Sequence, residues 1–284
     1  MKLKTAVLVI AAVMVLGPAI AQNTTNQTNN TTGDTANDTN VTTPDNETSP
    51  QQLDTVIVAT DSNYPDSVIS SPVSEKLGIP VLLTSKDELR NSTANILENY
   101  EIEQAIIVGG PAVVSQDVEN EINSITENDS IRLWGETAGE TSVDVSRYFW
   151  PENIEEATVV QTALTEGVEG YEDSHRLLTA VANNEEGPIF VSHTGEMSDE
   201  VLSELERREI SQITVYSTNG TNIDGEFEEA NISANINEGS IEELTSELYA
   251  EIQNNPNDRT LYAANGSDFK YSIPAYAHPD STIY

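Results

Sequence analysis

The fold is decided by three apolar runs, TVIVAT at residues 55–60, PVLLT at 80–84 and AIIVGG at 105–110. Each run is rich in β-branched residues and is followed by a polar turn and then by a segment with helical periodicity. Apolar runs that do not alternate with polar residues suit strands buried on both faces, as in a parallel sheet. Strands that alternate with helices form βαβ units, so we predict an α/β fold of parallel sheets.

The pattern of this first unit returns about a hundred residues later. TVV at 158–160 repeats TVI at 55–57, and PIFV at 188–191 repeats PVLL at 80–83. A third start, TLYAA, begins at residue 260. Units of this length are whole supersecondary modules, so the sequence predicts tandem βα modules.

We expect repeat one at residues 53–152, a diverged repeat two at 153–256 and a truncated third repeat at 257–284. The truncated repeat has room for one strand, a helix over Tyr271–His278 and a short tail. Either two full repeats and the truncated third are sufficient for a stable fold, or another chain supplies the surface that the truncated repeat lacks. The second alternative would make the protein an oligomer through its truncated repeat.

Capping signals and one proline predict where helices begin. Ser115 precedes a helix that we expect over residues 116–125. Thr141 with Asp144 fits a capping box that would open the next helix. Pro72 lies inside an otherwise helical segment and predicts a kink or a helix that starts late.

Five segments of repeat one occur in a recognisable order: ATDSNYPDSV at 59–68, SSPVSEKLGIP at 70–80, PVLLT at 80–84, AIIVGGPAVVS at 105–115 and RLWGETAGETSVDVSRYFW at 132–150. With these segments in this order, repeat one resembles the cell-wall-binding repeat type 2 family of secreted surface proteins. The resemblance implies extracytoplasmic polymer binding or surface anchoring rather than catalysis, usually toward anionic polymers of bacterial envelopes. It also implies modules that pack in threes around a pseudo-threefold axis.

Residues 1–21 have the pattern of a secretory signal peptide. Lys2 and Lys4 form a basic start, an apolar run follows, and Ala19-Ile20-Ala21 is a cleavage motif. The apolar run is nearly as long as a membrane span, so a retained anchor is the alternative. We expect a cleaved signal and a location outside the cell or at its surface.

Residues 22–52 consist almost wholly of small polar residues, which bury too little apolar surface to fold, so we expect a disordered linker. The chain is also dense in N-x-S/T sequons, either by chance in an Asn/Thr-rich tract or because the protein is glycosylated. The candidates in the linker are Asn23, Asn26, Asn29, Asn30, Asn37, Asn40 and Asn46, and those in the repeats are Asn91, Asn128, Asn219, Asn231 and Asn265.

The chain has 48 acidic and 12 basic residues and a formal net charge of −36. This balance disfavours nucleic-acid partners and anionic membranes, because both require Lys and Arg. Diffuse acidity with little Lys favours a salt-adapted surface, similar to that of haloarchaeal surface proteins, over specific capture of divalent cations. The chain has no cysteine, so disulfides and thiol chemistry are absent.

Two loops of repeat one follow strands, where open parallel sheets bind ligands. The first holds Asp61, Asn63 and Asp66, whose oxygens could hold a hard cation; the alternative is that Asn63 or Asp66 caps the next helix. The second holds Gly109 and Gly110, which allow a close backbone approach to an anion or form a plain tight turn.

Trp134 and Arg132 follow in the segment after the next expected strand. Trp134 could stack on a sugar ring or belong to the core. Arg132 and Arg147 could bind an anionic glycan, or they could neutralise neighbouring carboxylates. If Arg132 and Trp134 lie at the end of a parallel strand, they share a rim with the two loops.

The sequence contains no recognised catalytic motif; His175, His193 and His278 are scattered and no G-x-S-x-G is present. We therefore expect an exported, non-catalytic surface module that binds an envelope polysaccharide or a surface-layer protein. We expect no cofactor beyond a bridging divalent cation. The alternatives are an extracellular glycan hydrolase, which would show a perturbed acid in a cleft, and an adhesion protein completed by a partner chain.

The charge balance predicts a salt-dependent stability. Raising NaCl from 0.1 M to 1 M shortens the Debye length from about 10 Å to about 3 Å, so self-repulsion weakens and the melting temperature should rise more than for an ordinary domain. Melting by circular dichroism measures this. Dilute CaCl2 is the control: specific capture saturates at low concentration, whereas screening does not, and a flat NaCl response would remove the salt-adaptation hypothesis.

Overall fold

The structure, a computed structural model, describes two well-defined repeats and short parts of the region after them. None of the helices described is long and apolar enough to cross a membrane. The expected signal peptide, linker and helix over Tyr271–His278, together with Asn219 and Asn265, lie outside the described residues. The described residues are 54–151, 154–184, 187–195, 197–218, 224–254, 260–262, 269 and 281–283.

Repeat one contains a four-stranded parallel sheet in the order β2-β1-β3-β4. The three apolar runs form β1, β2 and β3, so the prediction of one parallel sheet is confirmed. The strands are β1 (Thr55–Thr60), β2 (Val81–Thr84), β3 (Gln104–Val108) and β4 (Ile131–Leu133), and the helices are α1 (Pro65–Ile69), α2 (Ser71–Leu77), α3 (Asn91–Asn99), α4 (Gln116–Ile125) and α5 (Ala138–Phe149).

Repeat two has the same architecture, with a parallel sheet in the order β6-β5-β7-β8. The identical strand order confirms the predicted fold class of tandem α/β modules. Its strands are β5 (Glu156–Thr162), β6 (Ile189–His193), β7 (Gln212–Ser217) and β8 (Ser233–Glu238), and its helices are α6 (Tyr171–Asn184), α7 (Asp199–Arg207), α8 (Asp224–Glu229) and α9 (Ile241–Asn254).

A further parallel pair follows repeat two. The predicted strand at residue 260 is present as β9 (Thr260–Tyr262). It pairs with β10 (Ser281–Ile283), in the place where we expected a short tail. The pairing of β9 with β10 parallels that of β5 with β6, so the region after repeat two begins with the same two-strand arrangement as the repeats.

The helix boundaries confirm two predictions and correct one. Ser115 caps α4 by accepting a hydrogen bond from Val118 N at 3.4 Å. Pro72 stands in the first turn of α2, which starts late, after the break that separates it from α1. The expected capping box at Thr141 is wrong: α5 begins three residues earlier, and Thr137 accepts from Glu140 N at 3.1 Å.

One hydrophobic cluster joins the two repeats. It combines side chains of β1, β2 and β3 with those of α6 and β6, and Leu244 and Leu248 of α9 extend it. Two outer clusters lie beyond it, one beneath α3 and α4 of repeat one and one beneath α7 and α8 of repeat two. Both faces of the central strands are therefore buried, which explains why their sequences do not alternate.

Helix α5 of repeat one packs directly on strand β6 of repeat two. Ser142 Oγ accepts a hydrogen bond from Val191 N at 3.3 Å, a backbone group of the other repeat. The approach requires Gly139, because a Cβ atom there would lie 2.8 Å from Ser198 Oγ and 3.1 Å from Val191 O. The Tyr64 hydroxyl adds another bond between the repeats by donating to Ala163 O.

A buried carboxylate, Glu204, also connects the two repeats, and we call the contacts between the repeats the junction. Glu204 of α7 is fully buried and accepts hydrogen bonds from three arginines. Arg147 reaches it from repeat one at 2.9 Å, while Arg207 and Arg208 belong to repeat two. Arg208 also donates to Trp150 O at 2.7 Å, back across the junction. In a chain with only 12 Lys and Arg residues, three arginines are thus used to neutralise one buried carboxylate.

The Glu204 cluster predicts an acid-sensitive junction. Burial by itself would raise the pKa of Glu204, but the hydrogen bonds from Arg207, Arg208 and Arg147 outweigh it and lower the pKa from 4.5 to about 2. The cluster should therefore stabilise the fold above pH 4.5 and lose that contribution as pH falls toward 2. Glu204→Gln should lower the free energy of unfolding at pH 7 by about 3 kcal/mol, measured by denaturant titration.

Glu206→Gln is the matched control, because it removes the same charge from the same helix at an exposed position. Its effect should stay within about 0.5 kcal/mol. Equal stability of the two variants would contradict a role for the cluster at the junction.

Candidate functional site

A cleft of about 720 Å³ opens between the two repeats. We call it the inter-repeat cleft. One wall comes from the segments after β1, β3 and β4 and from the start of α5; the other comes from the segments after β5 and β6 and from the start of α7. Its described lining residues are Asn63, Pro65, Asp66, Gly110, Ala112, Val113, Trp134–Gly139, Thr141, Leu164, Thr165, Val191–Thr194 and Met197–Glu200.

Trp134 lies on the rim of the cleft and is 42% exposed. Its position on one side is fixed by Gly110: a Cβ atom there would lie 2.5 Å from Trp134 Cε3, so the ring edge fits only over a glycine. The same side chain also borders a smaller cleft of about 380 Å³ with Glu140, Asp144 and Arg147. An aromatic ring that is seated on backbone and still accessible can stack on a flat apolar surface of a ligand.

Asp66 lies in the cleft beside Trp134 and is 8% exposed. None of the described residues donates a hydrogen bond or forms an ion pair with its carboxylate. Burial therefore raises the pKa of Asp66 from 3.8 to about 6. Gly109 makes room for the group, because a Cβ atom there would lie 2.9 Å from Asp66 Oδ2, and its φ of +119° also favours glycine.

Asn63 completes this part of the cleft. Its Oδ1 is buried and has no hydrogen-bond partner among the described residues. Helix α1 is capped at Tyr64 without a side-chain hydrogen bond, so the alternative that Asn63 or Asp66 caps it is wrong. Both side chains have acceptor atoms left over for other use.

The remaining predicted site residues lie in ion pairs outside the cleft. Asp61 pairs with Arg90. Arg132 is nearly buried, pairs with Glu119 at 2.9 Å and donates to Gly109 O at 2.8 Å, where it supports the glycine turn. Arg147 pairs with Glu204 in the junction described above. Of the predicted site residues, four therefore line the same cleft: Asn63, Asp66, Gly110 and Trp134. Gly109 is outside the lining but lies against Asp66.

The charge of the inter-repeat cleft is negative. Its described lining includes the carboxylates of Asp66, Glu136, Asp199 and Glu200 and contains neither Lys nor Arg. Across the described part of the chain, no group of three or more His, Asp or Glu side chains is arranged to hold a metal ion. The ring of His193 also lines the cleft, and its described contacts go to the neighbouring Thr194.

Sequence reasoning missed the wall from repeat two, which includes Leu164, His193, Ser198 and Asp199. Leu164 follows β5, His193 is the last residue of β6, and Ser198 and Asp199 lie at the start of α7. The repeat itself was visible in the sequence. Applying the rule for strand ends to both repeats would have identified these residues, although it is the packing of the two repeats against each other that brings the two walls together.

Repeat two has a cleft of about 830 Å³ at the corresponding place, formed by the segments after β5 and β7 and by the start of α9. Helix α9 has its own capping box, in which Ser240 accepts from Glu243 N at 3.2 Å and Glu243 Oε2 accepts from Ser240 N at 3.0 Å. An aromatic residue corresponding to Trp134 is missing from its described lining. The aromatic platform is therefore a property of the inter-repeat cleft.

Among the candidate sequons that the structure describes, Asn91, Asn128 and Asn231 are all exposed. Their side chains are accessible to a modifying enzyme, so glycosylation at these positions stays a prediction.

Comparison with known proteins gives a family and two curated relatives. Residues 20–119 match the family described as Cell wall binding domain 2 (CWB2). The N-acetylmuramoyl-L-alanine amidase LytC of Bacillus subtilis (strain 168) is 22% identical over 219 residues, which are 77% of this chain and 42% of that protein. The amidase enhancer of the same organism is 33% identical over 70 residues, or 25% of this chain and 10% of that protein.

Two solved structures share the fold. Cwp6 from Clostridium difficile superposes with a TM-score of 0.61 at 18% identity, over 81% of this chain and 37% of that one. Cwp8 from the same organism has a TM-score of 0.61 at 20% identity, over 82% of this chain and 40% of that one. This chain thus spans less than half the length of each of these relatives.

Asp66 and Asp61 should affect stability in opposite directions. Because the folded pKa of Asp66 is raised, its contribution to stability is intact below about pH 4 and is lost as pH rises through 6. Asp66→Asn should therefore raise the free energy of unfolding at pH 7 by on the order of 2 kcal/mol, and the gain should vanish near pH 4. Denaturant titrations at both pH values measure this.

The comparison variant is Asp61→Asn, which breaks the pair with Arg90 and should destabilise the protein. If Asp66→Asn is destabilising at pH 7, the carboxylate has a partner in solution and its description as unpaired is wrong.

Proposed function

Because residues 20–119 match the family described as Cell wall binding domain 2, we propose that the protein is a non-catalytic cell-surface module that binds an envelope glycan. The observation that supports a binding role most directly is the inter-repeat cleft, which holds the accessible ring of Trp134. The oxygen acceptors of Asp66 and Asn63 line the same cleft and have no partner among the described residues. A ring for stacking and acceptors for hydroxyl groups are the two features that sugar recognition needs.

The family and the signal-like start of the chain support a location at the cell surface or outside the cell. We propose that the basic and apolar segment of residues 1–21 exports the protein and is then cleaved. The candidate sequons and the extreme acidity fit an exported protein that works in high salt.

One observation favours a second candidate function, a glycan hydrolase. Such an enzyme needs a carboxyl group with a raised pKa in a cleft, and Asp66 meets that condition. The name of LytC describes a protein of which this chain matches 42%, so it carries no assignment of catalysis to this chain. The alternative is tested by incubating the protein with isolated envelopes and measuring new reducing ends. If reducing ends accumulate with time, and Asp66→Asn abolishes their release, the protein is a glycan hydrolase and not a non-catalytic binding module.

Trp134→Ala should weaken binding to isolated cell envelopes about tenfold or more, equivalent to 1.4 kcal/mol, because the stacking surface is lost. Sedimentation of purified protein with envelopes at constant high salt gives the apparent Kd. The ring lies on the rim, so the variant should stay folded by circular dichroism.

Tyr148→Ala serves as the control, since Tyr148 is 43% exposed and lies on α5 outside the lining of the cleft. It should bind like the wild type. Wild-type binding by Trp134→Ala, or an equal loss in both variants, would remove the cleft as the glycan site.

A further inference from the structure

We propose that the inter-repeat cleft selects an uncharged, hydroxyl-rich saccharide unit rather than an acidic one. The inference rests on the proposed function and specifies its ligand. It departs from the anionic polymers that the family resemblance implies, and it is argued from the charge, the unpartnered acceptors and the geometry of this cleft.

The charge of the cleft opposes an acidic ligand. Its described lining carries the carboxylates of Asp66, Glu136, Asp199 and Glu200, with no Lys or Arg to compensate them. Arg132 and Arg147, which the sequence suggested for binding an anionic glycan, form ion pairs with Glu119 and Glu204. A uronate, phosphate or sulfate group would enter a site that repels it, within a chain of formal charge −36.

The buried acceptor atoms of the cleft require a ligand that donates hydrogen bonds. Asp66 is nine-tenths buried, lines the cleft and lacks a hydrogen-bond donor among the described residues. The Oδ1 atom of Asn63 is also buried and also lacks a donor among the described residues. An ionised carboxylate accepts hydrogen bonds only, and leaving it unpaired in a buried place is costly. Sugar hydroxyl groups are donors that would satisfy both side chains without bringing negative charge.

The two glycines place these groups within the reach of one sugar. Asp66 Oδ2 lies against Gly109 and the Trp134 ring lies against Gly110, and adjacent Cα atoms are about 3.8 Å apart. A ring stacked by its apolar C–H face on Trp134 would direct hydroxyl groups from its edge toward Asp66.

A bridging cation is the competing explanation for the free oxygens. Calcium takes six to eight oxygen ligands, with several carboxylates among them. The described residues contain no group of three His, Asp or Glu side chains that could hold such an ion. A stacked neutral sugar needs only the two acceptors that are present.

The test uses the full-length protein and glycans released from envelopes of the producing organism, separated on an anion-exchange column into uncharged and acidic fractions. The uncharged fraction should compete with envelope binding, the acidic fraction should not, and EDTA should leave binding unchanged. Periodate cleavage of the uncharged fraction should abolish its competition. Competition by the acidic fraction alone, or loss of envelope binding in EDTA, would overturn the inference.

Asp66→Asn should weaken competition by the uncharged fraction about tenfold or more, although the variant is expected to be the more stable protein at pH 7. Asp117→Asn, which removes one charge from the exposed face of α4 in the same repeat, should leave competition unchanged. Equal effects of the two substitutions would contradict the role of Asp66.

The same assay separates failure of the inference from failure of the proposed function. If untreated envelopes do not bind the wild-type protein at all, the module is not a glycan binder. If envelopes bind but the uncharged fraction does not compete, the binding role stands and the uncharged ligand is wrong.

Discussion

The close packing of helix α5 on strand β6 is the contact on which the rest of the structure depends. It crosses from repeat one to repeat two, is made possible by Gly139, and is fixed by the bond from Val191 N to Ser142 Oγ. Each repeat by itself supplies one wall of strand ends. This contact, together with the bonds of Tyr64 and Glu204 between the repeats, brings the two walls together as a cleft, and the two repeats share one hydrophobic cluster.

Two buried carboxylates of this protein, Glu204 and Asp66, differ in whether arginines neutralise them. Three of its few arginines converge on Glu204, where a buried carboxylate without partners would otherwise oppose folding. Asp66, by contrast, is buried without such help among the described residues. A buried charge that nothing in the fold neutralises destabilises the protein, and such sites are commonly retained for binding or chemistry rather than for stability.

The twin glycines connect fold and site. Gly109 takes a backbone conformation that other residues rarely adopt, and its missing side chain leaves space for Asp66. Gly110 does the same for Trp134. Arg132 donates to the carbonyl oxygen of Gly109 and so holds the turn from behind, which assigns it a supporting position rather than a place in the cleft.

The sequence by itself determined the parallel α/β fold and its repetition, because uninterrupted β-branched runs, turns and helix caps are local signals with a fixed period. It also pointed to Asn63, Asp66, Gly110 and Trp134 through the rule that ligands bind at strand ends. Only the tertiary structure decided that Arg132 pairs with Glu119 and that the site has a second wall from repeat two. These features arise from contacts between residues far apart in the chain, for which the sequence carries no local signal.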